Sequence, residues 1–308
     1  MKRPYSYKLR IVFFFCYTMF FIFFTEINLG IIDSIYRSRK LTSFKMTNKQ
    51  IFKIYCFGDS FTFGDGASPK DSYPRQLERM LNNDSRIKFQ VFNLGIPGAN
   101  SSQVLKYLQH ILCKYAKPDL VILRVGVNDS WNFYDNNFAL ISEKENVIYL
   151  SKLYSILNNS RFYRLIKELG IILRKSTDYD PFGREENDPR FTGMDLDEFG
   201  KLAEFNLTEM VKLLQYKDIK IILQNYPGGD IHGSNAIANV AQKFSVPMVD
   251  VFSAFNEKLK ELNREDIFAP YWEYSHPNAE GYKIMTEQVY QVIVKTDIVG
   301  TSYKLIER

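Results

Sequence analysis

The triplet Gly58-Asp59-Ser60 is the first feature of the sequence that could do chemistry. It directly follows an apolar run, residues 51–57 (IFKIYCF), which predicts a β-strand. A serine at the carboxyl end of such a strand can act as a nucleophile if a base takes its proton. Gly, Asp and Ser are also common in turns and at helix N-termini, so the triplet alone is not specific. It does not match the G-x-S-x-G turn of α/β-hydrolases.

Two further polar loops follow later predicted strands. Gly98 ends the segment 93–98 (NLGIPG), and Asn128 lies in the segment 126–129 (GVND). The backbone N–H of Gly98 and the side-chain amide of Asn128 can both point into a crevice at the strand ends. A turn glycine and an ordinary loop asparagine are the alternative interpretations.

His276 is the one histidine of three that has the neighbours a catalytic base needs. It lies on a turn before the last predicted helix, three residues after Glu273. An acid at that spacing can accept a hydrogen bond from the imidazole and fix its tautomer. His110 falls within a helical pattern and His232 within a Gly-rich loop, so neither is a comparable candidate.

These four blocks, in this order, resemble the SGNH hydrolase family of GDSL-like lipases and esterases, over about residues 51–293. The resemblance implies that Ser60 is the nucleophile and His276 the base. It also implies an oxyanion hole formed by the backbone N–H groups of Ser60 and Gly98 and the amide of Asn128. Family members have an Asp three residues before the histidine, where this chain has Glu273, which we expect to complete a catalytic triad. A backbone carbonyl or another acid, such as Asp266, is the alternative partner of the histidine.

The chemistry that follows is cleavage of an acyl ester. His276 takes the proton of Ser60 during attack on the ester carbonyl and then gives it to the departing alcohol. Water completes hydrolysis, whereas an acceptor hydroxyl would complete acyl transfer. No metal or cofactor is expected, because the three histidines and three cysteines are scattered and offer no metal-ligand spacing.

The elements that must position these residues follow an alternating pattern. Apolar runs predict strands at residues 51–57, 87–93, 119–125, 218–225 and 246–251. Helical patterns separate them, at residues 73–81, 101–115 and 235–244 and after Pro277. Such alternation predicts an α/β fold with a parallel sheet and helices on both faces, and the resemblance implies the five-stranded, flavodoxin-like version of it. Ligands of these sheets bind beyond the carboxyl ends of the strands.

Residues 130–195 interrupt the alternation and are predicted to be an insertion in a hydrolase domain that spans residues 46–308. The insertion begins with a polar and aromatic stretch that contains Trp131, Phe133, Tyr134 and Phe138. A segment this long beyond a strand end is typical of a lid or a substrate-binding insertion. A purely structural elaboration is the alternative.

Residues 1–45 are predicted to be a membrane anchor and linker. The segment Ile11–Ile32 is strongly apolar, has no small-residue cleavage site, and favours a single-pass transmembrane helix. A cleaved signal peptide and a buried core helix are the alternatives. Lys and Arg flank the segment on both sides, so the positive-inside rule favours an extracytoplasmic catalytic domain only weakly.

The distribution of charge argues against nucleic-acid binding, and the positions of the cysteines argue against a disulfide. The net charge of +5 arises from residues 1–53, which carry +8, while the remainder carries −3; the main body therefore has no basic surface typical of nucleic-acid binding. Cys16, Cys56 and Cys113 lie in the predicted anchor, a strand and a helix, where apolar packing is favoured over a single disulfide.

The sequence thus predicts a serine esterase acting on an O-acyl ester, for example an O-acetyl ester on a cell-surface glycan. Two alternatives remain. An O-acyltransferase acting on a surface polysaccharide would use the same residues, and a non-catalytic glycan-binding or assembly protein could keep the same scaffold. Glu273 in place of Asp favours the non-catalytic alternative, while the intact serine, glycine, asparagine and histidine oppose it.

Overall fold

The computed structural model describes residues 7–41, 51–83, 87–129, 196–228, 231–270 and 276–299, together with positions 157, 160–163 and 165–166. The chain divides into two compact units. One comprises residues 1–46 and 149–193, and the other residues 47–148 and 194–308.

The first unit contains helix α1, Tyr7–Leu41. The Glu26 carboxylate on this helix accepts hydrogen bonds from the hydroxyl of Ser160 and from the backbone N–H of Phe162, the latter at 2.9 Å. The rings of Phe21 and Phe162 meet edge to face, with centroids 6.5 Å apart. In the described part of the chain, no helix combines the length and the apolar composition needed to cross a membrane. The predicted transmembrane helix is therefore not confirmed.

The second unit contains a sheet of five parallel strands in the order β2-β1-β3-β4-β5. The strands are β1 (Ile51–Gly58), β2 (Lys88–Gly95), β3 (Leu120–Leu123), β4 (Lys220–Gln224) and β5 (Met248–Val249). This order is flavodoxin-like, and it confirms the predicted α/β fold. Every residue of β3 is buried, as expected for a central strand of a parallel sheet, which is covered on both faces.

Helices lie between the strands and after the last one. They are α2 (Ser60–Phe63), α3 (Tyr73–Asn83), α4 (Ser101–Lys114), α5 (Leu196–Tyr216), α6 (Ile231–Phe244), α7 (Val251–Lys258), α8 (Arg264–Ile267) and α9 (Ala279–Lys295). They pack in two groups, with α3 against α9 and with α5 against α4 and α6. The predicted helices at residues 73–81, 101–115 and 235–244 and after Pro277 are confirmed, whereas α5 is not among the predicted elements.

The three cysteines are free. Cys56 is fully buried in β1, and Cys113 is exposed near the end of α4. Apolar packing, the favoured interpretation, therefore describes Cys56 but not the other two.

Candidate active site

Ser60 is the first residue of α2, directly after β1. Asp59 caps this short helix, because its Oδ1 accepts a hydrogen bond of 3.0 Å from the backbone N–H of Phe61. Position 58 requires glycine, since a Cβ there would lie 2.7 Å from the carbonyl oxygen of Arg124. Gly64 ends the helix in the left-handed region at φ +106°, where glycine is unstrained. The sequence therefore folds into a tight strand–turn–helix that presents Ser60 at the carboxyl edge of the sheet.

His276 reaches Ser60 from the loop before α9. Its Nε2 lies 2.8 Å from the Ser60 Oγ, which is hydrogen-bonding distance, and both residues are buried. The loop is held by a hydrogen bond of 2.8 Å from the Ala269 N–H to the His276 carbonyl. Gly66, at φ +93°, packs against it, and a Cβ at that position would lie 2.6 Å from the Pro277 carbonyl oxygen. Ser60 and His276 are 216 residues apart in the chain, and only the fold brings them together.

The protonation state of His276 suits a base. Burial lowers the pKa of the imidazole to about 4, so the ring is neutral at pH 7. A neutral imidazole can accept the hydroxyl proton of Ser60, and the pair can therefore generate a serine nucleophile.

Gly98 lies just before α4, and Asn128 contacts the residue that follows Gly98. Gly98 has φ +70° and precedes Asn100, the N-cap residue of α4, by two positions. The Asn128 Nδ2 donates a hydrogen bond of 3.0 Å to the carbonyl oxygen of Ala99, the residue after Gly98. Asn128 is 7% exposed. The two predicted oxyanion donors therefore belong to adjoining loops at the carboxyl end of β2 and β3.

A buried polar network holds these two loops together, and sequence analysis does not predict it. The Asp129 carboxylate accepts hydrogen bonds from the backbone N–H of Ser101 at 2.7 Å and from its hydroxyl at 2.6 Å. The Asn206 amide on α5 donates to the hydroxyls of Ser101 and Ser102, each at 2.8 Å. Because Asp129 follows Asn128 directly, this network ties the loop that carries Asn128 to the first turn of α4.

A second unpredicted group surrounds Asp59. Its Oδ2 accepts a hydrogen bond of 2.5 Å from the hydroxyl of Tyr226. The guanidinium carbon of Arg124, which is fully buried, lies 5.3 Å from the ring centroid of Tyr226. Burial raises the pKa of Asp59 to about 6, although the Tyr226 hydrogen bond and the positive charge of Arg124 act in the opposite direction.

Other predicted residues lie outside the described part of the chain. These include Glu273, the candidate third member of the triad, and the insertion aromatics Trp131, Phe133, Tyr134 and Phe138. The alternative acid, Asp266, is engaged in capping α8, since its Oδ2 accepts a hydrogen bond of 2.9 Å from the Asn263 N–H. In the described ranges, no group of three or more His, Cys, Asp or Glu side chains is placed to hold a metal ion.

Comparisons with known proteins bear on this site. A model described as the GDSL-like Lipase/Acylhydrolase family matches residues 56–284. A search of curated proteins finds no match.

Three similar solved structures illustrate the fold comparison. A member of the lipolytic protein G-D-S-L family from Veillonella parvula DSM 2008 is 15% identical, with 79% of this chain and 98% of that chain covered and a TM-score of 0.46. A variant of Axe2, an acetyl xylan esterase from Geobacillus stearothermophilus, is 20% identical, with 80% of this chain and 95% of that chain covered and a TM-score of 0.47. A two-domain esterase active on acetylated mannans is 14% identical, with 86% of this chain and 52% of that chain covered and a TM-score of 0.49.

Proposed function

This chain belongs to the GDSL-like Lipase/Acylhydrolase family and is therefore an SGNH-type serine ester hydrolase, and we propose that it cleaves an O-acyl ester with Ser60 as nucleophile and His276 as base. The observation that carries the proposal is the separation of 2.8 Å between the Ser60 Oγ and the His276 Nε2. A serine hydroxyl in hydrogen-bond contact with a neutral imidazole is the pairing that nucleophilic acyl transfer needs.

The reaction has two halves. In the first, the Ser60 Oγ attacks the ester carbonyl while its proton passes to the His276 Nε2, and the tetrahedral intermediate expels the alcohol, which takes that proton. In the second, a water molecule gives a proton to His276 and attacks the acyl-enzyme, and release of the carboxylic acid regenerates the serine hydroxyl. Water is the co-substrate of this half, and the proton that His276 takes from it passes to the Ser60 Oγ as the carboxylic acid leaves.

Negative charge on the carbonyl oxygen requires hydrogen-bond donors that are already in place. We assign this role to the backbone N–H groups of Ser60 and Gly98 and to the side-chain amide of Asn128. The contact between Asn128 and the Ala99 carbonyl supports the assignment, because it fixes one of the two N–H bonds of the amide and thereby orients the other.

Glu273 is proposed as the acid that orients His276 by accepting a hydrogen bond from its Nδ1–H. Loss of the acid in a serine protease triad costs about 10⁴-fold in kcat. We therefore expect Glu273→Gln to lower kcat by orders of magnitude and to leave KM unchanged. Glu273→Asp should cost less, about tenfold, because the charge is kept while the reach is shortened. If both variants keep near wild-type kcat, another group holds the histidine.

An acylated glycan, for example an O-acetylated one at the cell surface, is the proposed substrate. The aromatic residues Trp131, Phe133, Tyr134 and Phe138 support this proposal by their type, since aromatic rings can stack on sugars. Replacing Trp131 and Phe133 with Ala should reduce acetate release from an acetylated oligosaccharide more than from p-nitrophenyl acetate. Equal losses on both substrates would assign the insertion a structural role. Transfer of the acetyl group to an added acceptor sugar, instead of release as acetate, would identify an acyltransferase.

We also propose that residues 11–32 attach the protein to a membrane and that the catalytic domain lies outside the cytoplasm. Large apolar side chains of α1 are exposed in its first half, including Phe13, Phe14, Phe20, Phe23 and Phe24, and a lipid environment would cover them. A C-terminal reporter that is active only outside the cytoplasm should give signal, and the protein should sediment with membranes. A protein found in the soluble cytoplasmic fraction would contradict this proposal.

The decisive test of the activity is Ser60→Ala. We expect this variant to lose p-nitrophenyl acetate hydrolysis and labelling by a fluorophosphonate probe, while its circular dichroism stays that of the wild type. Ser253→Ala, which changes an exposed serine on α7, is the matched control and should keep both properties. Retention of most of the turnover by Ser60→Ala would show that the nucleophile is a different residue.

A further inference from the structure

We propose that Phe61, the residue after the nucleophile, is a positioning residue for His276, holding the plane of the imidazole and stabilising the imidazolium that forms during proton transfer. This inference rests on the proposed function of Ser60 and His276. It gives a role to a residue that the sequence analysis leaves without one.

The two rings are stacked. The centroids of Phe61 and His276 are 4.6 Å apart, and the ring planes are inclined by 21°. A parallel neighbour at this distance leaves the imidazole little freedom to rotate about its Cβ–Cγ bond. The Nε2 is therefore kept at the Ser60 Oγ by a contact on the face of the ring, in addition to any hydrogen bond at its edge.

Phe61 can serve as such a platform because it is itself fixed. Its backbone N–H donates to the Asp59 carboxylate, and the residue is 7% exposed. The ring of Tyr226 packs on it edge to face, with centroids 5.3 Å apart and planes inclined by 77°. The guanidinium carbon of Arg124 lies 5.8 Å from the Phe61 centroid. Backbone, aromatic and cationic contacts thus determine the position of the ring.

His276 becomes positively charged when it takes the proton of Ser60. Burial disfavours the imidazolium, which is why the pKa of this histidine is low. Catalysis nevertheless requires the charged form in the transition state. The negative face of an aromatic ring attracts a cation stacked on it, and more strongly where water is excluded. Phe61 therefore offsets part of the burial penalty at the step where the charge appears, which an aliphatic side chain of similar volume cannot do.

Fluorinated phenylalanines test this charge effect at nearly constant shape. Introducing mono-, di- and trifluorophenylalanine at position 61 of the full chain withdraws charge from the ring face stepwise. We expect kcat for p-nitrophenyl acetate to fall with each fluorine, by about 2- to 30-fold over the series, the range that a cation–π contact supports. The pKa of His276, followed by NMR, should fall in parallel. The same series at Phe89, a fully buried ring in β2, is the matched control and should leave kcat unchanged.

Phe61→Leu supplies a second readout that does not depend on activity. In the wild type, the stacked ring should shift the imidazole proton resonances of His276 upfield, and the leucine variant should lose that shift. Phe61→Tyr should retain it. The leucine variant should also have a lower kcat than the wild type, without a matching rise in KM.

The outcomes are separable. If kcat and the His276 pKa stay constant across the fluorinated series, or if the imidazole resonances are the same in wild type and Phe61→Leu, the inference about Phe61 is overturned. The proposed function is judged independently by Ser60→Ala and His276→Ala. Hydrolysis retained by either of these variants would overturn the proposed function, whatever the result at Phe61.

Discussion

Asp59 places a fully buried carboxylate next to the nucleophile, and this has a measurable effect on stability. Its pKa is raised from an ordinary value of 3.8 to about 6, so the folded state holds the proton more tightly than the unfolded chain. The free energy of unfolding contributed by this group therefore falls as the pH rises from about 4 to about 6, by up to about 1.4 kcal/mol per pH unit, and is constant above that window.

We expect Asp59→Asn to lack this pH dependence. Urea unfolding of wild type and variant at several pH values between about 4 and about 7 should show a difference in free energy that changes only below about pH 6. Glu257→Gln, which removes an exposed carboxylate on α7, is the control for the loss of a surface carboxylate. If the free energies of unfolding of Asp59→Asn and the wild type differ by the same amount at every pH, the pKa of Asp59 is not raised by folding.

Asn128 is predicted to act in the transition state rather than in substrate binding. Loss of one oxyanion donor lowers kcat by about 10²- to 10³-fold, so Asn128→Ala should show a loss of that size with little change in KM. Steady-state kinetics with p-nitrophenyl acetate separate the two parameters. A change confined to KM would instead make Asn128 a substrate-binding residue.

The residues that sequence analysis finds at the site are those with a local signature. Ser60, Gly98, Asn128 and His276 each follow an apolar run or precede a helical one, and their order along the chain carries the family resemblance. Tyr226 has no such signature, because its role depends on a hydrogen bond to Asp59, which lies 167 residues away. Such a partner is determined by the order of strands in the sheet, since β4, which precedes Tyr226, pairs with β3, and β3 pairs with β1.

At the scale of the elements, the predicted strands are right in number and order along the chain but differ at their ends. β1 and β2 continue past their predicted ends, to Gly58 and Gly95, whereas the last three predicted strands are too long. The third was expected at residues 119–125, whereas β3 is Leu120–Leu123. Gly126 lies at φ +125°, a backbone conformation that a continuing strand cannot have. The apolar run therefore extends past the last paired residue into the turn that leads to Asn128.

Helix α5 was missed although its apolar residues repeat at helical spacing. Phe199, Leu202, Leu207, Met210 and Leu214 are all buried, at intervals of three to five residues along one face. The sequence also carries a helix-start signal at this point, since Asp195 directly precedes the helix and is followed three residues later by Glu198. The periodicity was sufficient to identify it.

The link between α5, α4 and the loop of Asn128 leads to a prediction about Ser101. Ser101→Ala removes one hydrogen bond from the Asp129 carboxylate and one from the Asn206 amide, all in fully buried positions. We expect a loss of stability of about 1–3 kcal/mol and a lower kcat, because the loop that carries Asn128 is then held to α4 by one hydrogen bond fewer, the bond from the backbone N–H of residue 101 being kept. Urea unfolding and steady-state kinetics measure the two effects.

Ser253→Ala is the control for this change. The Ser253 hydroxyl makes the same kind of bond, 2.6 Å to the Asp250 carboxylate in the first turn of a helix, but at an exposed position. Ser253→Ala should therefore lower the free energy of unfolding only slightly and leave kcat unchanged. If Ser101→Ala loses stability but keeps kcat, the network contributes to folding without positioning Asn128.

For the whole molecule, the strand order β2-β1-β3-β4-β5 explains why the candidate site forms at one edge of the sheet. Parallel strands have their carboxyl ends on the same side of the sheet. β2 pairs with one side of β1, and the chain then crosses over to place β3 on the other side of β1, which opens a crevice between the loops that follow β1 and β3. Ser60 follows β1, Gly98 follows β2 and Asn128 follows β3. The topology therefore gathers three loops that are distant in sequence, and the loop before α9 adds His276.

All four of these residues belong to the unit formed by residues 47–148 and 194–308. We therefore expect a chain that begins at residue 47 to hydrolyse p-nitrophenyl acetate with unchanged kcat, and to lose the membrane association proposed for residues 11–32. The readouts are steady-state kinetics and sedimentation with membranes, compared with the full chain.

Ser60→Ala within the shortened chain is the control, since it should be inactive if the same site is at work. A shortened chain that keeps its circular dichroism but loses turnover would show that residues 1–46 contribute to the chemistry. The sheet-bearing unit would then be insufficient for catalysis. Activity in the full chain and in the shortened chain, both abolished by Ser60→Ala, would instead confine the reaction to the edge of the sheet where β1, β2 and β3 end.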